Sequence, residues 1–264
     1  MKEESKNDPI FILENLSIGH TAKNPLFSNC NKINEKIYPG ALICLCGPNG
    51  GGKSTLLKTL SGFIKPLEGK ITINGKDIHK LDKPQLSKLL SVVFTDNDFT
   101  NLNGVELVSL GRTPHTGFFG RLNNYDRTIV DKALEAVNAS SLKYRKISSL
   151  SDGERQRLLI AKALAQETDI ILLDEPTAFL DYPSKIEVMR LLKNLCHKEN
   201  KTIIISIHDL EIAFSITDYL WFIDKHLGLA TGTLNELEKN GDIEKYFNAA
   251  GLSFNNQISK FIIN

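Results

Sequence analysis

The chain has 264 residues, 41% hydrophobic and 24% charged, the profile of an ordinary globular protein with one large domain or a core carrying a subdomain. Its 32 basic and 31 acidic residues leave a net charge of +1, so no strong global field draws it to nucleic acid or anionic lipid. No apolar run approaches the roughly 20 residues that cross a bilayer, and residues 1–9 lack the apolar stretch of a signal peptide, so we expect a cytoplasmic protein free to dock on a membrane protein.

Residues 10–18 are apolar and β-prone, and residues 32–37 alternate as a half-buried strand does. Pro39-Gly40 makes a turn before a short buried strand over 41–46. That strand holds Cys44 and Cys46 on one face; with Cys30 and Cys196 they fit reduced cysteines of a cytosolic protein better than a metal site. A glycine-rich loop leads into a helix over 53–62, then a strand over 70–73 with the hairpin signal Asn74-Gly75. Residues 83–90 read as helix and 91–94 as strand.

From 95 to 150 helical patterns dominate, over 105–110 and 125–139, with a loop over 111–124 between them. This stretch reads as an inserted helical subdomain. Beyond it helices (154–166, 184–198, 209–217) alternate with strands (170–173, 202–207, 219–223), which predicts a parallel sheet with crossover helices. The tail, 233–264, reads as short helices and a final strand.

Gly47-Pro48-Asn49-Gly50-Gly51-Gly52-Lys53-Ser54 fits the phosphate-binding pattern G-x-x-x-x-G-K-[ST]. The glycines let backbone N–H groups curl around phosphates. The helix beginning at Lys53 and running on through Thr55 points its positive end at them. Lys53 supplies a cation and Ser54 a hydroxyl ligand for Mg²⁺. A chance match in a chain of this length arises about once in a hundred. The predicted strand before the motif and helix after it argue against a mere glycine turn.

Asp174-Glu175 ends the apolar strand 170–173. Alone, such a pair is more often a helix-capping turn. After a phosphate loop, Asp174 is the expected Mg²⁺ ligand and Glu175 the group that orients and activates water. His208 ends another strand, where a histidine is usually structural, but parallel-sheet logic puts it on the phosphate-loop edge as a γ-phosphate sensor. Leu150-Ser151-Asp152-Gly153-Glu154-Arg155-Gln156 contains the capping box Ser151-x-x-Glu154. Its Ser and Gly at a helix start also make a second anion site, which suggests nucleotide held between two copies.

In order and spacing these segments resemble those of ABC-transporter ATPase subunits, over nearly the whole chain. The resemblance implies an α/β fold: a P-loop NTPase core with a mostly parallel sheet, an N-terminal antiparallel β subdomain and an inserted helical subdomain. It implies an ATPase domain over 10–246, its helical subdomain about 95–152, and a short extension over 247–264. Leu150–Gln156 is similar to the family's L-S-G-G-Q signature, with Asp152 and Glu154 as variants. Ser151 and Gly153 are then expected on the partner's γ-phosphate. Ala178-Phe179-Leu180-Asp181 resembles the D-loop, and His208 the switch histidine. Two positions depart from the pattern. The usual Mg²⁺-contacting Gln is replaced by Thr95 or Asp96, and the adenine-stacking aromatic by His20.

The segment 106–115 is similar to ATPases of iron-siderophore, haem and cobalamin importers. The implied assembly is a homodimer binding ATP and Mg²⁺, peripheral on the cytoplasmic face of the membrane. It would sit on two integral-membrane permease subunits, served indirectly by an external substrate-binding protein, with no nucleic acid partner. A soluble ABC ATPase acting on a cytosolic assembly, or an exporter subunit, are the alternatives. Phe118 and Phe119 read as subdomain core ahead of permease contact.

Overall fold

The structure, a computed structural model, describes residues 8–21, 24–26, 32–94, 101–117, 120–248, 252–255 and 260–263. The chain falls into two compact units, one made of residues 1–79 with 204–264 and the other of 80–203.

The first unit opens with β1 (Phe11–Ser17), β2 (Gly19–Thr21), β3 (Asn24–Pro25), β4 (Ile33–Ile37) and β5 (Leu42–Cys46). Helix α1 (Lys53–Leu60), β6 (Glu68–Ile73) and β7 (Lys76–Asp77) follow. Strands β4-β1-β6-β7 form an antiparallel sheet in that order. Its alternation is visible in β1, where Phe11 and Leu13 are buried before an irregularity at Asn15 (φ 49°) shifts the buried position to Leu16, and in β4, where Ile33 and Ile37 are buried. β6 and β7 pair through Ile73 and Lys76, with Asn74 (φ 48°) and Gly75 (φ 72°) making the left-handed two-residue turn that the Asn-Gly signal predicts.

The second unit begins with α2 (Lys83–Leu86) and β8 (Leu90–Val93). The helix predicted over 83–90 is therefore only one turn long. Asp82 and Gln85 close a capping box as expected, but Leu90 joins the sheet opposite Ile170, so tertiary pairing overrides local propensity. Next come α3 (Gly104–Ser109), a 3₁₀ turn (Leu110–His115) and α4 (Asn124–Ala136). The predicted loop 111–124 thus starts as helix, and the helix predicted to 139 stops at Ala136, with Asn138 left-handed at φ 54°. Phe118 and Phe119 lie outside the described residues. Then come α5 (Asp152–Ala165), β9 (Ile170–Leu173) and α6 (Tyr182–Glu199). β9 pairs with β8 in parallel and is buried along its whole length.

One polar network holds the helices of this unit. Arg112, 1% exposed, donates to Asp126 Oδ1, to Ala165 O (2.7 Å) and to Glu167 Oε2 (2.6 Å). Tyr125 O–H donates to Glu167 Oε1 at 2.8 Å. Gln166 donates to the carbonyls of Ser87 and Leu90. The network ties the 3₁₀ turn and α4 to the end of α5.

The chain then returns to the first unit within β10 (Thr202–Ser206), followed by α7 (Leu210–Ile216), β11 (Tyr219–Asp224), β12 (Gly228–Gly232), α8 (Leu234–Lys239) and α9 (Asp242–Asn248). β13 (Leu252–Asn255) and β14 (Lys260–Ile263) finish it. β5 lies between β11 and β10 and runs parallel to β11, while β12 pairs antiparallel with β11. Strand β12 was not predicted, and the single predicted terminal strand is an antiparallel pair, Leu252 opposite Ile263.

Candidate functional site

The phosphate loop begins where the fully buried β5 ends at Cys46. Gly47 has φ 155°, and a Cβ there would lie 2.2 Å from the carbonyl oxygen of Ile223. Gly52 caps α1 at φ 112°, and its Cβ would lie 2.1 Å from Leu26 Cδ2. Only glycine fits either place. At Gly50 a Cβ would meet nothing within 4 Å, so the loop is packed against the core on one side and open on the other. Gly51 N–H closes a turn onto Pro48 O at 3.0 Å. Lys53 is 5% exposed, and its ammonium donates to Gly47 O (2.8 Å) and Pro48 O (3.1 Å). Pro48, Asn49 and Gly50 are exposed, with Ser54 and Thr55 half-buried behind them. A glycine cradle open to solvent, a cation folded into it and a helix N-terminus beneath it fit a polyphosphate.

His208 stands just beyond β10, exposed to solvent. Ile207 N–H bonds to Leu45 O at 3.1 Å, which brings the start of His208 level with the end of β5. The structure therefore places the histidine at the strand end that opens into the phosphate loop. His20 belongs to β2, but its side chain lies outside the described part. Thr95 and Asp96 lie outside the described residues.

Cys44 and Cys46 are free thiols, both fully buried in β5. Burial pushes the Cys44 thiol up to about 12 and the Cys46 thiol well above its usual value. Protonated, sealed thiols are poor ligands and poor nucleophiles, as the reduced-core reading expects. Cys30 lies outside the described residues.

In the second unit, Asp174 N–H bonds to Val93 O at 2.9 Å, which fixes the acidic pair at the carboxyl end of β8 and β9. Asp174 and Glu175 are both half-buried. Glu175 has φ 49°, a left-handed backbone unusual for a Glu and of the kind that collects at functional sites. Its carbonyl starts the next turn by accepting from Ala178 N–H. Phe179 is also left-handed, at φ 63°, and 85% exposed. Asp181 accepts from Ser184 N–H at 2.9 Å and so caps α6.

Ser151 caps α5, accepting from Glu154 N–H at 3.2 Å while Ser151 N–H donates to Glu154 Oε2 at 2.9 Å. The predicted capping box is present. Reading the sequence missed Arg145, which donates to Glu154 Oε1 at 2.9 Å and to Ser149 O at 3.0 Å. The backbone N–H of Ser151 above all, then Arg145, hold the Glu154 carboxyl below its ordinary range, although its partial burial works the other way. Asp152 pairs with Arg155 at 3.4 Å. Each acidic variant of the segment is thus balanced by an arginine. A Cβ at Gly153 would meet Ser184 Oγ at 3.4 Å, an ordinary contact, so packing alone does not demand glycine there.

A protein-family model for the ABC transporter domain matches residues 30–178. The chain belongs to the ABC transporter family. It carries that family's ATP-binding, ATP-hydrolysing domain. It is 39% identical to an ABC transporter ATP-binding protein of Methanocaldococcus jannaschii, over 94% of this chain and 84% of that one. It is 41% identical to the iron(3+)-hydroxamate import ATP-binding protein of Bacillus subtilis, over 78% of this chain and 77% of the relative. Among solved structures, a metal-chelate type ABC transporter in an inward-facing conformation is similar at TM-score 0.78 and 27% identity, over 97% of this chain and 96% of that one. A dimeric ATP-binding cassette holding ADP and Pi after hydrolysis is similar at TM-score 0.71 and 26% identity, over 85% and 98%. Among the described residues, no helix of this ABC protein is long and apolar enough to cross a membrane.

Proposed function

We propose that this chain is the ATPase subunit of an importer for metal chelates of the iron-siderophore, haem or cobalamin kind. It works as a homodimer on the cytoplasmic face of the membrane, against two permease subunits. The observation that carries the reading is the 41% identity to a hydroxamate-iron import ATP-binding protein over 78% of the chain. The likeness to a metal-chelate type transporter supports it.

In this reading residues 47–55 hold the ATP phosphates, with Lys53 as the mobile cation. Ser151 and Gly153 of the second copy, flanked by Asp152 and Glu154, face the γ-phosphate. The exposed Phe179 and the D-loop residue Asp181 meet that copy. Glu175 orients and deprotonates the attacking water, and His208 senses the γ-phosphate. His20 lies against the adenine.

Mg²⁺, when bound, neutralises phosphate charge. Ser54 and Asp174 supply the hard oxygen donors it prefers, with Thr95 as a third. Among the described residues, no three His, Cys, Asp or Glu side chains cluster to hold a metal by themselves. A metal that takes most of its ligands from substrate and water suits Mg²⁺.

The test is purification of the protein from its native membranes in mild detergent, followed by identification of what accompanies it. A stoichiometric polytopic subunit with the genetic or biochemical mark of chelate uptake is the expected result. Recovery without any membrane subunit, from cells actively importing, would overturn the proposal in favour of a soluble ABC ATPase.

A further inference from the structure

The first unit holds a second concavity that the nucleotide chemistry does not use. It is a cleft of about 200 Å³, bordered by β4 on one side and by β11 and β12 on the other. Strand alternation explains its lining. Glu35 and Ile37 share one face of β4, and Tyr219 and Trp221 share one face of β11. Thr231 of β12 sits opposite Trp221 in register. Tyr38 follows β4 at the mouth. Tyr38 and Tyr219 are 43% and 40% exposed, while Trp221 forms a buried wall at 3%.

Among the described residues the carboxylate of this cleft has a hydroxyl partner but no paired cation. Glu35 is half-buried, and its Oε1 accepts one hydrogen bond, from the Thr231 hydroxyl at 2.6 Å. Lys36 borders the cleft but belongs to the opposite, exposed face of β4. Burial pushes the Glu35 carboxyl up, and the Thr231 hydroxyl only partly offsets this. A desolvated carboxylate without a counter-ion costs stability. Two partly exposed phenol rings, of Tyr38 and Tyr219, line the same cleft, and aromatic rings attract cations through their faces.

We propose that this cleft binds a small organic cation, a primary ammonium or guanidinium group, with Glu35 as its counter-ion and Tyr38 and Tyr219 as its π faces. The volume limits the ligand to a head group, since drug-sized molecules take pockets of roughly 300–1,000 Å³. A carboxylate fork suits a guanidinium, and the same oxygens accept from an ammonium. Inorganic cations would gain nothing from the apolar floor of Ile37 and Ile43.

Trp221 is the only tryptophan of the chain, so its emission reports on this cleft. The full-length protein is titrated with methylguanidinium chloride and with methylammonium chloride, against sodium chloride at matched ionic strength. The expected result is a saturable change in emission with at least one organic cation and none with sodium. Glu35→Gln keeps the shape and removes the charge, and weakens the affinity by about tenfold or more. Tyr38→Ala, at an exposed position, weakens it by about two- to fivefold. No saturable change at millimolar cation, or unchanged affinity in the variants, overturns the proposal. Should Glu35→Gln lose its fold by circular dichroism, Tyr38→Ala decides alone. ATP hydrolysis is not the readout, so the result stands apart from the import reading.

Discussion

Arg112 Nε donates to Asp126 Oδ1 at 2.9 Å, and the two side chains are only 2% and 3% exposed. The same guanidinium reaches Glu167 and the Ala165 carbonyl, so it serves three acceptors from α4 and the end of α5. Removing it strands a buried carboxylate. Arg112→Leu is expected to cost about 3–5 kcal/mol, read from urea unfolding of the purified protein. A loss below about 1 kcal/mol would mean that the buried pair nets nothing against its own desolvation.

The carboxylates of this region give the protein an acid limit. Asp126 lies below its ordinary range, chiefly through the backbone N–H of Asn123 and then through Arg112, although burial opposes them. Burial pushes Glu167 upward, but Tyr125 and Arg112 outweigh it and hold the group low. A folded value below the unfolded one means the unfolded chain binds more protons. The stabilisation is therefore present above the unfolded carboxylate value of about 4 and is lost as pH falls through the folded values. Glu35 acts with the opposite sign, since its folded value is raised. Thermal midpoints across an acid series should fall below about pH 4. In Arg112→Leu that acid-linked fall should shrink. An identical slope in both proteins would detach the acid limit from this network.

Gly47→Ala tests the tight side of the phosphate loop. The new Cβ would overlap a backbone oxygen of β11, which cannot swing away as a side chain does. Relieving about 1–3 kcal/mol of strain would displace the loop and weaken ATP binding by roughly tenfold or more. Nucleotide titration by calorimetry checks this. Wild-type affinity would show that the loop accommodates a left-handed alanine without moving.

Ser151→Ala separates two roles of one hydroxyl. As a cap it contributes about 1 kcal/mol to stability. As a ligand for the nucleotide of a second copy it governs ATP-driven association. The expected outcome is a small drop in melting temperature with a large loss of the ATP-induced dimer in size-exclusion or scattering measurements. Loss of stability with intact dimerisation would reduce Ser151 to a cap.

Glu175→Gln keeps the length of the side chain and its left-handed backbone while removing the base. ATP should still bind, and turnover should drop by about 10²–10⁴-fold, the usual contribution of a general base. Single-turnover kinetics with labelled ATP decide the matter. Near-normal hydrolysis would assign the proton transfer elsewhere.

The phosphate loop was legible because its chemistry tolerates so few residue types. Gly47 and Gly52 occupy backbone conformations that almost nothing else adopts, and Lys53 follows in fixed register. The helix start at Ser151 was legible for a similar reason, since a capping box is local and reciprocal. Arg112 was not. Its partners Asp126 and Glu167 stand 14 and 55 residues away, and no pattern within a window links them. Arg145 escaped notice likewise, nine residues from the Glu154 that it grips. Residues 87–90 were misread because the helix signal at Asp82 is sound while its end is dictated by pairing with β9, far along the chain. The ring of His20 and the residue Thr95 lie outside what the structure describes, so the two departures from the family pattern rest on sequence.

The two units also differ in how they can be made. Residues 80–203 form an uninterrupted stretch, whereas the first unit needs residues 1–79 and 204–264 together. The interior strand β5 waits for β11, and Leu42 N–H waits 176 residues for the Asp218 carboxylate. On the ribosome, the stretch carrying the signature helix can therefore become compact while the phosphate loop still lacks the strand that braces Gly47. The loop is thus synthesised long before the strand that braces Gly47, so its final geometry waits on the far end of a long-range contact.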